Sequence, residues 1–510
     1  MFNNEDLELF KSRGILPEQV EVQLENFRNG FPFIRLDAPA TPGNGIIQLS
    51  DQDIEKYTQV YEDRIAQLEV VKFIPASGAA TRMFKELFAY LEKAEGADNE
   101  ASLLDTFPSL KNLILSVNRL PFVSELKEIL EAEGQNLDEL VCANEARRLI
   151  QIILSEQGLG YADLPKGLIR FHSYPDQSRT SFEEHLVEGA QYAKSGDSEV
   201  RLHFTVSPEH IDSFKHHLET VRVFYEELFR VRYIIEFTIQ QPHTDTIAVD
   251  MNNNPFRDDD GQIVFRPGGH GALLGNLNGL DQDLIFIKNI DNIAPDRMKG
   301  LTKQYKQALA GLLIEFQDRV FGYLRDLVST EVSIDRLKEI CEFVGANMCK
   351  MEEQVDPGSA NDLKSSLSKI LNRPIRIAGM VKNAGEPGGG PFWVRQTDGT
   401  VNLQIVEPAQ ISPEQADLLK QSTHFNPVDL VCAVKDYQGK LFDLLEFRDP
   451  QTGFITEKSI SGKPVKAQEL PGLWNGSMAG WNTLFVEVPI ETFTPVKTIY
   501  DLIREEHLSD

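Results

Sequence analysis

The run Val70-Val71-Lys72-Phe73-Ile74 is followed at once by Pro75-Ala76-Ser77-Gly78-Ala79-Ala80-Thr81-Arg82-Met83-Phe84-Lys85. A short apolar run closed by proline predicts a buried strand, and a helical pattern begins near Arg82. A buried strand, a loop of small side chains and a helix in that order commit this part of the chain to an α/β arrangement. Small residues let backbone N–H groups approach an anion, and the positive end of the following helix faces the same place. Arg82 and Lys85 add full charges, one as a planar fork and one as a point charge. The segment reads equally as a tight turn with a solvated Arg and Lys. With Gly78 its one glycine, it is neither a P-loop nor G-x-G-x-x-G.

The rest of the pattern extends the α/β reading. Residues 52–70 form an amphipathic helix, with Ile54, Tyr57, Val60, Tyr61, Ile65 and Leu68 at helical spacing. Residues 86–160 read as wholly helical. Beyond about 167, strands are expected at 199–206, 232–238, 245–249, 262–266, 283–288, 375–382, 402–407, 428–434 and 483–488. Helices are expected at 180–194, 208–229, 270–278, 294–326, 331–343, 360–371, 411–420 and 497–505. Alternation of this kind predicts a mixed, mostly parallel sheet flanked by helices. The stretches 86–160 and 295–372 then read as helical insertions in a core spanning 70–503, with a helical segment 1–69 before it and a tail 504–510 after it. The cluster Gly385-Glu386-Pro387-Gly388-Gly389-Gly390-Pro391 reads as a loop beside a ligand or a tight turn.

Charge narrows the function classes. The chain has 510 residues and a net charge of −27, so a general nucleic-acid binder, which needs a basic stripe, is not expected. Cys142, Cys341, Cys349 and Cys432 form no C-x-x-C pair, which points to reduced thiols and a cytoplasmic protein. The acidic start Met1-Phe2-Asn3-Asn4-Glu5-Asp6 has no signal-peptide character, and no run of about 18 apolar residues predicts a membrane span.

Several blocks, taken in order, resemble the sugar-nucleotide pyrophosphorylases. The segment Ala76-Ser77-Gly78-Ala79-Ala80-Thr81-Arg82-Met83 is similar to their Gly-rich signature, with Ala80 in place of its second glycine. Leu164-Pro165-Lys166 resembles the Pro-Lys pair that follows. Phe237-Thr238-Ile239-Gln240-Gln241-Pro242 resembles the strand end whose glutamine reads uracil, and Gly268-Gly269-His270-Gly271 the glycines lying against base and ribose. Lys288-Asn289-Ile290-Asp291-Asn292 resembles N-x-D-N-L. Strand 402–407 resembles the one ending in a sugar-contacting glutamate, here Glu407. His424-Phe425-Asn426-Pro427-Val428-Asp429 resembles F-N-T-N-N, with Asp429 for an asparagine, and Lys466-Ala467-Gln468-Glu469-Leu470 resembles the Q-L-E block. Val488-Pro489 to Lys497-Thr498 and Asp501-Leu502 resembles the closing motif, with Ile490 and Thr492 where that motif has arginines. The blocks also look like an uncharacterised bacterial family known as a domain of unknown function.

The resemblance implies a GT-A-like nucleotide-diphospho-sugar transferase core with two helical insertions. It implies transfer of a nucleotidyl group, uridylyl by preference, from a nucleoside triphosphate to a sugar 1-phosphate with release of pyrophosphate. Arg82, Lys166 and Lys497 would carry the phosphate charges. Ala76, Ser77, Gly78, Ala79, Ala80, Thr81, Gln241, Gly269, His270 and Gly271 would bind the nucleotide, and Glu407, Asn426 and Glu469 the sugar. Mg²⁺ would be held by Asp291 and Asp429. Partners would be small molecules, with neither nucleic acid nor membrane, and oligomeric state is left open.

Three alternatives stand beside this reading. The first is a nucleotide-sugar-binding protein without catalysis, because Ala80 resists a left-handed backbone. The second is a glycosyltransferase using the D-x-D of Asp258-Asp259-Asp260. The third is a helical interaction protein using the insertions. His185, His216 and His217 read as core or solvated residues.

Overall fold

In the computed structural model the run at 70–74 is the strand Val70–Pro75, buried throughout except at Pro75. The structure describes residues 2–78, 80–95, 100–196, 198–329, 332–350, 360–385, 388–460 and 462–508. Ala79 and two residues of the Gly/Pro cluster, Glu386 and Pro387, lie outside them. The chain divides into two compact units. One comprises Met1–Phe73, Thr238–Ile287 and Tyr305–Ile490; the other Ile74–Phe237, Lys288–Gln304 and Glu491–Asp510.

The first unit is built on parallel strand pairing. Its principal strands lie in the order Thr41–Pro42, Gly45–Ile47, Asn482–Glu487, Ile375–Lys382, Asp429–Ala433, Leu284–Lys288 and Val70–Pro75. Ile375–Lys382 runs parallel to Asn482–Glu487 and antiparallel to Asp429–Ala433, and Leu284 to Ile287 pair in parallel with Val70 to Phe73. Runs such as Leu284–Lys288, buried at every position, match the continuous apolar character of strands covered on both faces. The core joins Ile46, Phe73, Ile287, Met380, Leu430, Trp481 and Phe485. Two antiparallel four-stranded sheets complete the unit. One has the order Leu36–Pro39, Gly390–Arg395, Val401–Val406, Cys349–Lys350, and the other Phe265–Arg266, Thr246–Val249, Lys463–Glu469, Phe454–Ile460.

In the second unit, Glu199–Val206 and Arg232–Ile239 are neighbours, and the Ala76 N–H donates to the Thr205 carbonyl at 2.8 Å. The region expected to be wholly helical, 86–160, holds the helices Lys85–Ala94, Glu100–Leu104, Pro108–Leu115, Val123–Ala132, Leu137–Ala143 and Ala146–Leu154, and 156–159 form turns. These helices share a core of Leu87, Leu110, Phe122, Leu130, Leu149 and Ile153. Helix Ser181–Tyr192 opens with a capping box between Thr180 and Glu183. It is buried almost all round and carries charge inward. Glu188 pairs with Lys288 at 2.8 Å and Glu184 with Lys299 at 2.5 Å, all four at 1 % side-chain exposure or less. Buried charges persist only when so paired.

The structure bears out the mixed, mostly parallel α/β class and differs from the sequence reading in detail. The helix expected near Arg82 begins at Lys85, after a 3₁₀ turn Ala80–Arg82. The strand expected at 262–266 is Phe265–Arg266 alone. The helix expected at 411–420 is Ala416–Lys420 after two 3₁₀ turns, and 497–505 forms the 3₁₀ turns Ile499–Ile503 and Glu505–His507. Among the described residues, no helix is long and apolar enough to cross a membrane.

Candidate active site

In the second unit three predicted residues converge. Pro165 caps a 3₁₀ turn that begins with Lys166. Next to it, a Cβ on Gly167 would fall 2.7 Å from the Phe214 ring, so this turn packs closely because it lacks one. Lys166 is buried, and its Nζ donates to Asp291 Oδ2 and to the Val496 carbonyl, each at 3.0 Å. Lys497 Nζ donates to the same Asp291 oxygen, also at 3.0 Å. Asp291 follows the strand Leu284–Lys288, and its own carbonyl accepts from the Val496 N–H at 2.9 Å. Burial raises the pKa of this carboxyl, but Lys497 and Lys166 outweigh it and hold the group below the ordinary aspartate range. Its other oxygen, Oδ1, is buried without a hydrogen-bond partner.

Neighbours that the sequence did not reveal hold this cluster in place. The Ile290 carbonyl accepts from Ser181 Oγ and, at 3.1 Å, from His185 Nε2. His185 is indeed a core residue, but it sits one peptide from Asp291. Asp501 Oδ2 accepts from the backbone N–H groups of Lys497 and Thr498 at 2.8 and 2.7 Å. Asp501 thus fixes the backbone that carries Lys497.

The small-residue loop precedes the cluster. Gly78 accepts from the Lys166 N–H at 3.3 Å, and Ser77 from Ser207 Oγ at 3.1 Å. Ala76 and Ala80 are buried, whereas Ser77, Gly78, Thr81 and Arg82 are exposed. A Cβ at Gly78 would meet nothing within 4 Å, so the loop has open space beside it. Ala80 does not adopt a positive φ. Its methyl group packs into the helical core, so alanine meets no backbone penalty here. Arg82 forms no ion pair among the described residues.

The predicted base and sugar residues lie in the first unit. Gly269 has φ +76°, and a Cβ there would come within 2.9 Å of Glu469 Oε2; one on Gly271 would come within 2.1 Å of the Pro471 carbonyl oxygen. His270 stacks on Trp474 with ring centroids 4.2 Å apart. The Leu473 N–H donates to His270 Nδ1 at 3.0 Å, which leaves the ring proton on Nε2. Burial pushes the His270 pKa down to about 4, so the ring is neutral. Asn475 donates to Glu407 at 2.9 Å, and burial, reinforced by nearby Glu469, raises the Glu407 pKa. Asn426 donates its N–H to the Gly389 carbonyl at 2.9 Å, and a Cβ on Gly389 would lie 3.3 Å from Glu407 Oε1. Gly269, His270, Glu469, Glu407 and Asn426 therefore form one connected set. Gln241 is exposed on the turn whose Thr244 carbonyl would meet a Cβ on Gly268 at 2.7 Å.

Asn426 and Asp429 flank a strained residue. Val428 adopts φ +60°, which a β-branched side chain resists, and its N–H donates to Asn426 Oδ1 at 3.1 Å. Asn426 Nδ2 is buried without a partner. Asp429 forms a buried ion pair with Lys306. The two residues expected to hold a metal are thus engaged by different lysines in different units. Among the described residues no three His, Cys, Asp or Glu side chains form a metal-binding group. The buried orphan oxygen of Asp291 fits an ion that takes one protein carboxylate and completes its shell with phosphate oxygens. The D-x-D segment is a turn: Asp258 Oδ1 accepts from the N–H groups of Asp260 and Gln262 at 3.1 and 2.9 Å.

Solved structures similar to the chain are UDP-sugar pyrophosphorylases. The uridine diphosphate N-acetylglucosamine pyrophosphorylase of Trypanosoma brucei aligns over 96% of this chain and 76% of its own, with 12% identity and a TM-score of 0.48. The UDP-glucose pyrophosphorylase of Leishmania major aligns over 98% and 78%, with 12% identity and a TM-score of 0.42. A putative UDP-N-acetylglucosamine pyrophosphorylase of Entamoeba histolytica aligns over 88% and 80%, with 12% identity and a TM-score of 0.42. No curated protein matches the chain in sequence. Residues 3–508 match the family described as Domain of unknown function (DUF4301), and the chain belongs to that family.

Proposed function

We propose that the chain is a nucleotidyltransferase that joins a sugar 1-phosphate to a nucleoside triphosphate, UTP by preference, and releases pyrophosphate. The observation that supports this most is the convergence of Lys166 and Lys497 on Asp291 across 125 and 206 residues of sequence. Each of the three stands in a block that resembles a pyrophosphorylase motif.

In the proposed reaction a sugar-phosphate oxygen forms a bond to the α-phosphorus, and the bond from that phosphorus to the departing pyrophosphate breaks. The nucleophile is already ionised at neutral pH, so no general base is required. Catalysis is then positioning and charge stabilisation. Lys166 is assigned to the α-phosphate, Lys497 to the sugar phosphate, and Arg82 with the loop N–H groups to the pyrophosphate. Asp291 holds both ammonium groups at one point before substrate arrives. Asp291, through its unpartnered Oδ1, would be the residue to hold Mg²⁺, and the ion would supply positive charge to the transferring group. Neutral His270 on Trp474 offers a flat surface and an Nε2–H donor suited to a nucleoside. Glu407, Glu469 and Asn426 offer hydrogen-bonding groups suited to sugar hydroxyls.

A nucleotide screen followed by turnover tests this reading. UTP, GTP, CTP, ATP and dTTP are each added with Mg²⁺, and the melting temperature is recorded. A ligand at a hundred times its dissociation constant adds about 2.7 kcal/mol. The stabilising nucleotide should release pyrophosphate when a sugar 1-phosphate is added. Stabilisation without release for any sugar phosphate would identify a binding protein instead.

A further inference from the structure

A cleft of about 910 Å³ opens within the first unit, and none of the candidate site residues lines it. Its walls are the ends of strands Gly390–Arg395 and Val401–Val406 and the segment from Glu446 to Thr452. Four arginines line it: Arg35, Arg373, Arg395 and Arg448. In a chain of net charge −27 such a concentration of guanidinium groups needs an explanation.

Two of the four, Arg35 and Arg448, are not spent on neighbouring carboxylates. The Arg395 N–H donates to the Arg35 carbonyl at 2.9 Å, which sets these two like-charged residues side by side on adjacent chain segments. Like charges so placed destabilise unless a counter-charge is supplied. Arg395 pairs with Asp37 at 2.8 Å. Arg35 and Arg448 are exposed and form no ion pair among the described residues. Three acidic residues also line the cleft, but two are tied into turns. Asp398 Oδ1 accepts from the Thr400 N–H at 2.9 Å, and Asp449 Oδ1 from the Gln451 N–H at 2.9 Å.

The floor is polar and built. Asn402 and Gln404 line the cleft at 8% and 3% exposure. Gln396 Nε2 and Gln404 Nε2 both donate to Asn402 Oδ1 at 3.0 Å, and Asn402 Nδ2 donates to the Ala479 carbonyl at 3.2 Å. This fixes the amides and leaves the Gln396 and Gln404 carboxamide oxygens as acceptors. Guanidinium forks suit phosphate oxygens, and fixed amide oxygens suit hydroxyl donors. The volume matches a single small molecule.

We propose that this cleft is a second ligand site, separate from the candidate active site, for a small phosphorylated compound bearing hydroxyl groups. Arg35 and Arg448 bind its phosphate, and the carboxamide oxygens of Gln396 and Gln404, held in place by Asn402, orient its body. The site does not depend on the transferase reading.

Calorimetry tests it with two probes, inorganic pyrophosphate and glucose 6-phosphate. Pyrophosphate should bind at two sites per chain. The double variant Arg35→Glu/Arg448→Glu should keep one of them and lose glucose 6-phosphate binding at least tenfold. Arg82→Ala should weaken the other pyrophosphate site and keep glucose 6-phosphate. If the charge reversal lowers the melting temperature of the free protein, Arg35→Gln/Arg448→Gln replaces it and must show the same loss. Wild-type binding of both probes in the Arg35/Arg448 variants overturns the proposal. Loss confined to the Arg35/Arg448 variants, with Arg82→Ala unchanged, would leave this site standing and remove the pyrophosphate role proposed for Arg82.

Discussion

Lys497 Nζ donates to Asp291 Oδ2 at 3.0 Å, across 206 residues of sequence, and Lys166 already holds that oxygen from the opposite direction along the chain. The two lysines differ in burial: their side chains are 58% and 10% exposed. Stability and activity should therefore separate. Lys497→Ala should cost under about 1 kcal/mol, as exposed ion pairs do. Asp291→Asn, which strands the buried Lys166 charge, should cost about 3 kcal/mol. Both should lower turnover by about a hundredfold or more, since in the proposed mechanism Lys497 supplies positive charge to phosphate and Asp291 positions both ammonium groups. Urea denaturation and a pyrophosphate-release assay on the two variants read this directly. Equal destabilisation by both would contradict the assignment of burial to function.

Gly271 and Gly275 give a matched pair. A Cβ at Gly271 would collide with the Pro471 carbonyl at 2.1 Å, whereas Gly275, in helix Leu274–Asn278, has nothing within 4 Å. Gly271→Ala should cost more than about 2 kcal/mol through backbone displacement. Gly275→Ala should be neutral or stabilise by up to about 1 kcal/mol. Melting temperatures of the two proteins check this, and a tolerated Gly271→Ala would refute the close packing.

Ser181 should act on catalysis from one peptide away. Its hydroxyl and His185 hold the Ile290 carbonyl, and so the backbone before Asp291. Ser181→Ala should lower kcat several-fold with KM nearly unchanged, and cost about 1 kcal/mol of stability. Ser181→Thr, which keeps the hydroxyl, should recover most of kcat. No recovery with threonine would leave Ser181 with a packing role alone.

Three histidines set an acid limit. Burial lowers the pKa of His172, against the opposing effect of Glu184, pushes His270 down to about 4, and, with His172 and Arg504 adding to it, pushes His507 down to about 3. An unfolded histidine titrates near ~6.5. Below that pH the unfolded chain binds protons that the folded chain refuses. Stability is therefore full above about pH 6.5 and falls as pH drops towards 4. The urea midpoint should fall between pH 7.5 and 5, and His270→Gln should fall less steeply. A flat wild-type midpoint over that range would contradict the neutral state of these rings.

Much of this fold is legible in the sequence because its central strands are mostly buried and rich in apolar residues. Ile375–Lys382 and Glu199–Val206 coincide with the expected spans, and helix Ala360–Leu371 matches both ends. The hairpin Phe454–Ile460 with Lys463–Glu469 was not expected. Phe454–Ile460 is half-exposed or exposed throughout, and both strands carry Lys and Glu, so no clean apolar alternation marks them. Gly390–Arg395 was hidden by the Gly/Pro cluster before it, which reads as a loop although Gly390 already pairs with Val406. At the site, motif order pointed to Lys166, Asp291 and Lys497 one by one. That both lysines meet a single oxygen depends on contacts between distant segments, which periodicity does not encode. The same holds for Asp429. Its partner Lys306 lies on the helix Asp296–Val328, where a lysine ordinarily reads as solvated, yet it is fully buried.

The central claim is that Lys166 and Lys497 carry phosphate charge in nucleotidyl transfer. The most direct measurement is pyrophosphate release from UTP, with Mg²⁺ and a panel of sugar 1-phosphates, by the wild-type chain and by Lys166→Ala/Lys497→Ala. Sugar-phosphate-dependent release by the wild type is expected, and at least a hundredfold less by the double variant, with its fold intact by circular dichroism. Equal release by both proteins, or none by the wild type with any nucleoside triphosphate and sugar 1-phosphate, would contradict it.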